Sequence, residues 1–329
     1  MRFESRVLFQ FNMPYALGWL THQGERCVVA ATEDHGPVVI SRPPFERAEV
    51  LVPGPGGCMS LLENPRKPGE LFSIMGCFLG YNFHGGAVYR IAGGTANKLI
   101  DLPFGHRLEI VDRPDGRFLL ASNLASTKDS PQDWTRPGSL YALPLDTEWK
   151  ELGTPVLENL NKHHGMFQGT LNGRPTFMVS AQQGVFSLDL RSPGWAFARV
   201  LDHEVSEIAL FDLDGDGNDE LVTIEPFHGN VLAVYKAVNG HWSRTWDAEL
   251  DYGHCVIAGL FQNRPSVLVS SRAGNKDLVW WDFSASVPQK TVVAEGVGTA
   301  NLLVAKALGE DIILATNQAR GELVRYSPA

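Results

Sequence analysis

Helical periodicity is almost absent from this 329-residue chain, and short β-rich runs bounded by Gly, Pro, Asn and Asp recur along its whole length. One unit returns seven times: apolar strand, tight polar turn, apolar strand, longer loop, third strand. These observations predict an all-β fold, a seven-bladed β-propeller in which an N-terminal strand completes the last blade.

The first strands of the copies fall at 17–20, 58–62, 107–111, 165–170, 208–211, 255–260 and 301–305. Asn172-Gly173-Arg174-Pro175 and Gln262-Asn263-Arg264-Pro265 fill the same slot in copies four and six, which marks a repeat rather than chance spacing. Fourth strands lie between copies, as at 49–52, 97–102, 198–201, 243–249 and 290–294. A copy averages about 47 residues, within the ~40–50 of a four-stranded blade. The chain reads as a single propeller domain, 1–329, with blades near 13–52, 53–102, 103–152, 153–201, 202–249, 250–294 and 295–329 plus 3–11. The last copy stops after three strands, so residues 6–11 are expected to supply its fourth and to close the ring without a disulfide. A pair of β-sandwiches would explain the alternation but not seven copies of one turn order.

Composition narrows the function classes. Hydrophobic residues make up 44% of the chain, enough for a large core. Net charge is −9 with no Lys/Arg cluster, so no nucleic-acid partner is expected. No apolar run approaches the ~18–20 residues of a membrane span. Met1-Arg2-Phe3-Glu4-Ser5-Arg6 lacks an apolar stretch, and Cys27, Cys58, Cys77 and Cys255 are scattered without a CxxC. Both features point to a reducing, cytoplasmic setting, with a trimmed secreted form as the alternative. GxSxG, Walker and HExxH motifs are missing.

Strand parity then sorts the histidines. Loops between second and third strands share one rim with the blade entrances, here called the near rim. Turns between first and second strands lie on the far rim. Eight of the ten histidines map to the near rim. His106, His164 and His254 sit at one register, just before the innermost strands of blades 3, 4 and 6, and are expected to converge on the axis. Neutral imidazoles are ligands for zinc or manganese, and three of them leave a position open for substrate or water. His163 and His164 are adjacent, so in extended backbone their rings point apart. Of Trp280 and Trp281, at most one can face the core.

Copy five carries Asp212-Leu213-Asp214-Gly215-Asp216-Gly217-Asn218-Asp219-Glu220. Oxygens from Asp212, Asp214, Asp216, Asn218 and Glu220 can wrap one calcium ion. This run resembles the FG-GAP or VCBS-type propeller repeat, with Glu220 where that family usually has Asp. The calcium-type repeat together with channel histidines is similar to the propeller domain of fungal aldos-2-ulose dehydratase and to propeller-type sugar lyases. That resemblance implies a metal-dependent carbon–oxygen lyase or dehydratase acting on a sugar, keto-sugar or uronic-acid derivative. In that expectation His106, His164 and His254 hold the metal, and His84 or His228 is the base. Tyr81 is the acid, and Arg272, Lys276 and Gln182 bind a small carbohydrate-type substrate. The alternative is a non-catalytic propeller that binds a glycan or a protein. A homo-oligomer is compatible with either reading.

Overall fold

The structure, a computed structural model, describes residues 1–79 and 84–329. Seven four-stranded antiparallel sheets account for all the named strands, and no α-helix occurs among the described residues. Each sheet is a meander whose first strand lies innermost. These inner strands are Pro14–His22, Ser60–Glu63, Gly105–Arg113, Met166–Leu171, Glu207–Phe211, Gly253–Phe261 and Thr299–Ala307. Each contacts the inner strands of both neighbouring blades, so the seven sheets form a closed ring. The predicted all-β, seven-bladed propeller is the observed fold.

Position in the blade explains the burial of each strand. Second strands are pressed between neighbouring sheets on both faces, so they are continuously buried, as in Leu71–Met75 and in 176–181 of Arg174–Ala181. Outer strands have one wet face and alternate, as His241–Glu249 does. Trp280 is buried, with its indole N–H donating to Ser266 Oγ at 2.8 Å, while Trp281 is half-buried.

Ring closure uses main-chain pairing. Phe3–Gln10 lies antiparallel to Glu322–Pro328 and completes blade 7. All four cysteines are free and buried. Blade 7 also grips blade 1 at the near rim, where Thr316 Oγ1 and Asn301 Nδ2 donate to the Tyr15 carbonyl at 2.8 and 2.9 Å. One blade boundary differs from the sequence expectation. The outer strand of blade 3 is Leu157–Leu160, paired with Gly138–Pro144, so blade 3 ends after 160 rather than near 152. A turn-rich excursion after Pro144 carries the chain outward before it returns.

On the far rim, carboxylates tie the first strands or turns of blades 1, 4 and 6 to the next blade. Glu63 accepts from Thr21 N–H at 2.6 Å and pairs with Arg26. Asp219 accepts from Asn172 N–H at 2.9 Å, and Asn172 Oδ1 accepts from Asp219 N–H at 3.1 Å. Asp311 accepts from Gln262 N–H at 2.7 Å.

The closing strand makes a direct prediction. Leu8 is buried against Leu314 and Leu323, whereas Val7 is 44% exposed. Leu8→Ala is expected to lower unfolding free energy by about 2–5 kcal/mol, and Val7→Ala by less than about 1 kcal/mol. Urea denaturation of the two variants checks the contrast.

Candidate functional site

A backbone bulge places two of the axial histidines, His106 and His254. In blade 3, Gly105 pairs with Asn123 and Arg107 with Ser122, so His106 is an extra residue. In blade 6, Gly253 pairs with Ser271 and Cys255 with Ser270, so His254 is extra. Blade 7 repeats this with Ala300, and blade 1 has its shift at Tyr15-Ala16. Such bulges re-aim a side chain without breaking the sheet. In blade 4, Ser180 N–H donates to Gly165 O at 2.9 Å, which gives His164 the register of His106 and His254. Gly165 is required there, because a Cβ would stand 2.4 Å from Ser180 Oγ and 2.9 Å from Ser206 O.

The rings converge. His106 and His164 have centroids 4.3 Å apart, His164 and His254 5.2 Å, and His228 and His254 5.0 Å. His228 enters from the second-to-third loop of blade 5 with φ of 47°, in the left-handed region that costs a non-glycine residue free energy. Its Nε2 lies 3.3 Å from His164 Nε2. His164, His228 and His254 each place one ligand nitrogen within 4.8 Å of the other two. The sequence expectation named His106 in place of His228. His106 lies beside these rings, but its Nε2 is hydrogen-bonded to the Tyr15 hydroxyl at 3.0 Å.

Outer partners orient the three rings. His254 Nδ1–H donates to Ala300 O at 2.8 Å, which leaves Nε2 as the bare nitrogen of the neutral ring. His228 Nδ1 is hydrogen-bonded to the Tyr252 hydroxyl at 2.9 Å. His164 Nδ1 lies against Glu207 Oε1, though out of hydrogen-bond alignment. Arg107 Nη2 meets the same oxygen at 2.5 Å, and Arg107 Nε donates to His164 O at 3.0 Å. This ion pair runs from blade 3 to blade 5 beneath the rings and forms the floor of the site.

Burial sets the charge of these groups. It holds His106, His164 and His254 well below the usual imidazole range, with neighbouring imidazoles or Arg272 adding to the shift. It lowers His228 to about 3 and His163 to about 4. The cluster is therefore neutral at physiological pH, the form in which imidazole binds metal. Burial also raises the Tyr15 phenol, which stays protonated.

The residues fit a metal. Two nitrogens at about 2.0–2.1 Å from one tetrahedral ion stand roughly 3.3–3.4 Å apart, and the His164–His228 separation matches. Anchored Nδ1 atoms are the usual outer shell of a histidine metal site.

The other expected residues are more dispersed. Arg272 belongs to a near-rim clamp with Gln318 and Glu33, in which Gln318 Nε2 donates to Glu33 Oε2 at 2.5 Å. His84 is exposed and bonded to Thr127 Oγ1 at 2.7 Å. Gln182 is exposed, with its N–H donating to Asn161 O at 2.8 Å. Lys276 lines a separate surface pocket with Glu249, Asp277 and Lys290. Tyr81 lies outside the described residues. His163 is fully buried, its Nδ1–H donating to Ser180 O at 2.9 Å, so it turns away from His164 as expected. The loop from Asn123 to Gly138 walls one side, with Trp134 packed on Phe227 at 5.4 Å and Phe227 stacked on His228 at 4.0 Å.

Tyr15, Arg107 and Glu207 escaped sequence reasoning. Tyr15 was visible in principle, because Pro14-Tyr15 opens an inner strand as Gly105-His106 and Gly253-His254 do.

The calcium-type turn holds a cation of the chain's own. Lys236 Nζ contacts Asp214, lies 2.7 Å from Asp216 and 3.5 Å from Glu220. Both oxygens of Asp212 accept N–H groups, from Gly215 at 2.8 Å and Gly217 at 2.9 Å. Asn218 donates from its main chain and side chain to Asp216. The donor set suits calcium, but an ion would have to displace the ammonium.

No family model and no curated protein matches the chain, so the FG-GAP or VCBS resemblance rests on the 212–220 turn. Solved structures do match. Among them is Sqt1 of Saccharomyces cerevisiae, at 10% identity and a TM-score of 0.58 over 100% of this chain and 99% of that one. At that identity the likeness shows the fold alone.

Two predictions follow from these charges. In metal-free protein, unfolded histidines take up protons below about pH 6.5 while His163 and His228 stay neutral in the fold. The unfolded state then binds more protons, so stability falls on acidification from about pH 6.5 to pH 5. His163→Gln is expected to make that fall shallower by about 1.4 kcal/mol per pH unit in urea titrations. Separately, Lys236→Met leaves Asp214 and Asp216 unpaired and is expected to tighten calcium binding about tenfold. Calorimetric titration of both forms checks this.

Proposed function

We propose that the protein is a ligand-binding propeller whose near-rim axial site holds one divalent transition metal, zinc or manganese, on His164, His228 and His254. The carrying observation is that the three rings crowd one axial point, with Nδ1 of His228 and His254 hydrogen-bonded outward and that of His164 lying against Glu207. Three neutral nitrogens leave a coordination position for an oxygen ligand, and a bound metal would act there as a Lewis acid.

The chain supplies the rest. The Tyr15 hydroxyl, shared between His106 Nε2 at 3.0 Å and His254 Nε2 at 3.5 Å, can hydrogen-bond a ligand oxygen. Arg272 adds positive charge on the same rim, which suits a carboxylate. The Arg107–Glu207 pair closes the floor. A small, oxygen-rich ligand of the carbohydrate or uronic-acid type fits this chemistry.

Binding is favoured over a lyase or dehydratase step because among the described residues, which do not include Tyr81, no acid–base pair is assembled at the rings. His228 is turned toward His164, and His84 is bonded to Thr127.

Elemental analysis of protein purified without a chelating column tests the proposal. About one zinc or manganese per chain is expected, with stabilisation of roughly 2.7 kcal/mol at a hundredfold excess over Kd. His228→Ala and His254→Ala should lose the ion, and His84→Ala should keep it. Absence of transition metal together with an unchanged unfolding temperature on adding zinc or manganese would overturn the proposal.

A further inference from the structure

We propose that the far-rim mouth of the axial channel is a second binding site, for an organic cation with an apolar body. A cavity of about 480 Å³ opens there, lined by inner-strand residues of blades 1, 2, 3, 4 and 7. That places it on the propeller axis, and Arg26 and Pro65 at its edge place its opening on the far rim. Its size lies within the ~300–1,000 Å³ of small-molecule sites.

Leu17, Trp19, Leu62, Met166 and Leu303 form an apolar wall beside the charged residues. Two carboxyl groups line the cavity, Glu63 at the mouth and Glu109 deeper in. Glu109 Oε1 accepts only the neighbouring Ile110 N–H at 3.1 Å, and Glu109 has no ion-pair partner among the described residues. The other charges at the cavity are already matched. Arg107, at its inner end, is paired with Glu207, and Arg26, at its mouth, with Glu63. Of the two carboxylates that line the cavity, Glu63 is held by Arg26, and Glu109 has no ion pair because the other guanidinium, Arg107, is held by Glu207 outside the lining. Burial raises the Glu109 carboxyl to about 7, and a cation beside it would restore its ionised form.

An ammonium or guanidinium group supplies the missing charge, and an apolar body covers the leucine, methionine and indole walls. A neutral alcohol would gain only the apolar contact. A carboxylate would meet a like charge. No imidazole lines the cavity, and Arg107 at its wall is held by Glu207 and the His164 carbonyl, so its ligand is not expected to compete for the near-rim site.

Calorimetric titration of the intact protein with n-hexylammonium chloride tests the site, with n-hexanol and sodium hexanoate as comparators. Saturable binding is expected, with hexanol weaker by about tenfold and hexanoate not detected. Glu109→Gln, nearly isosteric, should weaken hexylammonium binding about tenfold. Leu303→Trp, on a different blade, should block it by filling the cavity. Thermal unfolding of both variants confirms that they fold. The proposal is overturned if hexylammonium shows no saturation, if hexanol binds equally well, or if both folded variants bind like the parent. Loss of binding on saturation with zinc would place the probe at the near rim and overturn it too.

Discussion

An inner strand that carries one extra residue at its near-rim end cannot keep strict alternation there, and the placing of His106 and His254 at the axis depends on that break. Where Gly105 and Arg107 pair with consecutive partners, His106 has no place in the ladder and its ring is sent toward the axis. The same holds for His254, and Ala300 shows the bulge persisting where the side chain is only a methyl group. The bulge is thus a property of the blade, and its occupant decides the chemistry. Carbonyls at these positions serve as well: Ala300 O fixes the His254 tautomer, and Tyr15 O is held by two donors from blade 7.

Crowding imidazoles into a dry axial space has an electrostatic consequence. A charged ring would lose its hydration and face other rings, so burial and mutual repulsion keep the cluster neutral. Glu207 is a carboxylate in contact with it, and Arg107 draws on the same oxygen. The ion pair therefore anchors His164 without leaving an uncompensated buried charge, which would be costly. Several ring nitrogens, among them His106 Nδ1 and His163 Nε2, have no hydrogen-bond partner. An assembly with that many unmet lone pairs and N–H groups is arranged for something other than stability alone.

Much of the architecture was legible because a blade is a local unit. Turn order, strand length and the final three-strand copy are written within 40–50 residues of chain, and closure by the first strand follows from counting. The blade 3 boundary was harder to read, since the segment after Pro144 contributes turns but no paired strand until Leu157. The site was half legible. His106, His164 and His254 were found by register, but exchanging His106 for His228 depends on where a strained loop turns one ring. Tyr15, Arg107 and Glu207 act across blades, and contacts between residues about 90 to 240 positions apart leave no mark on local spacing.

The far rim shows why the acidic turn belongs with the scaffold. Glu63, Asp219 and Asp311 each accept an N–H from the first strand or hairpin turn of the preceding blade. Asp219 lies inside the calcium-type run, so this turn is one of three such clasps. Lys236, from the third strand of the same blade, balances Asp214 and Asp216 and raises no demand for an outside ion. A turn that must hold its neighbour gains from a tethered cation, because an ammonium fixed to its own sheet keeps the clasp shaped at any calcium concentration. Parity thus divides the molecule: bulges and loops give the near rim its imidazoles, and short clasped turns give the far rim rigidity around the channel mouth.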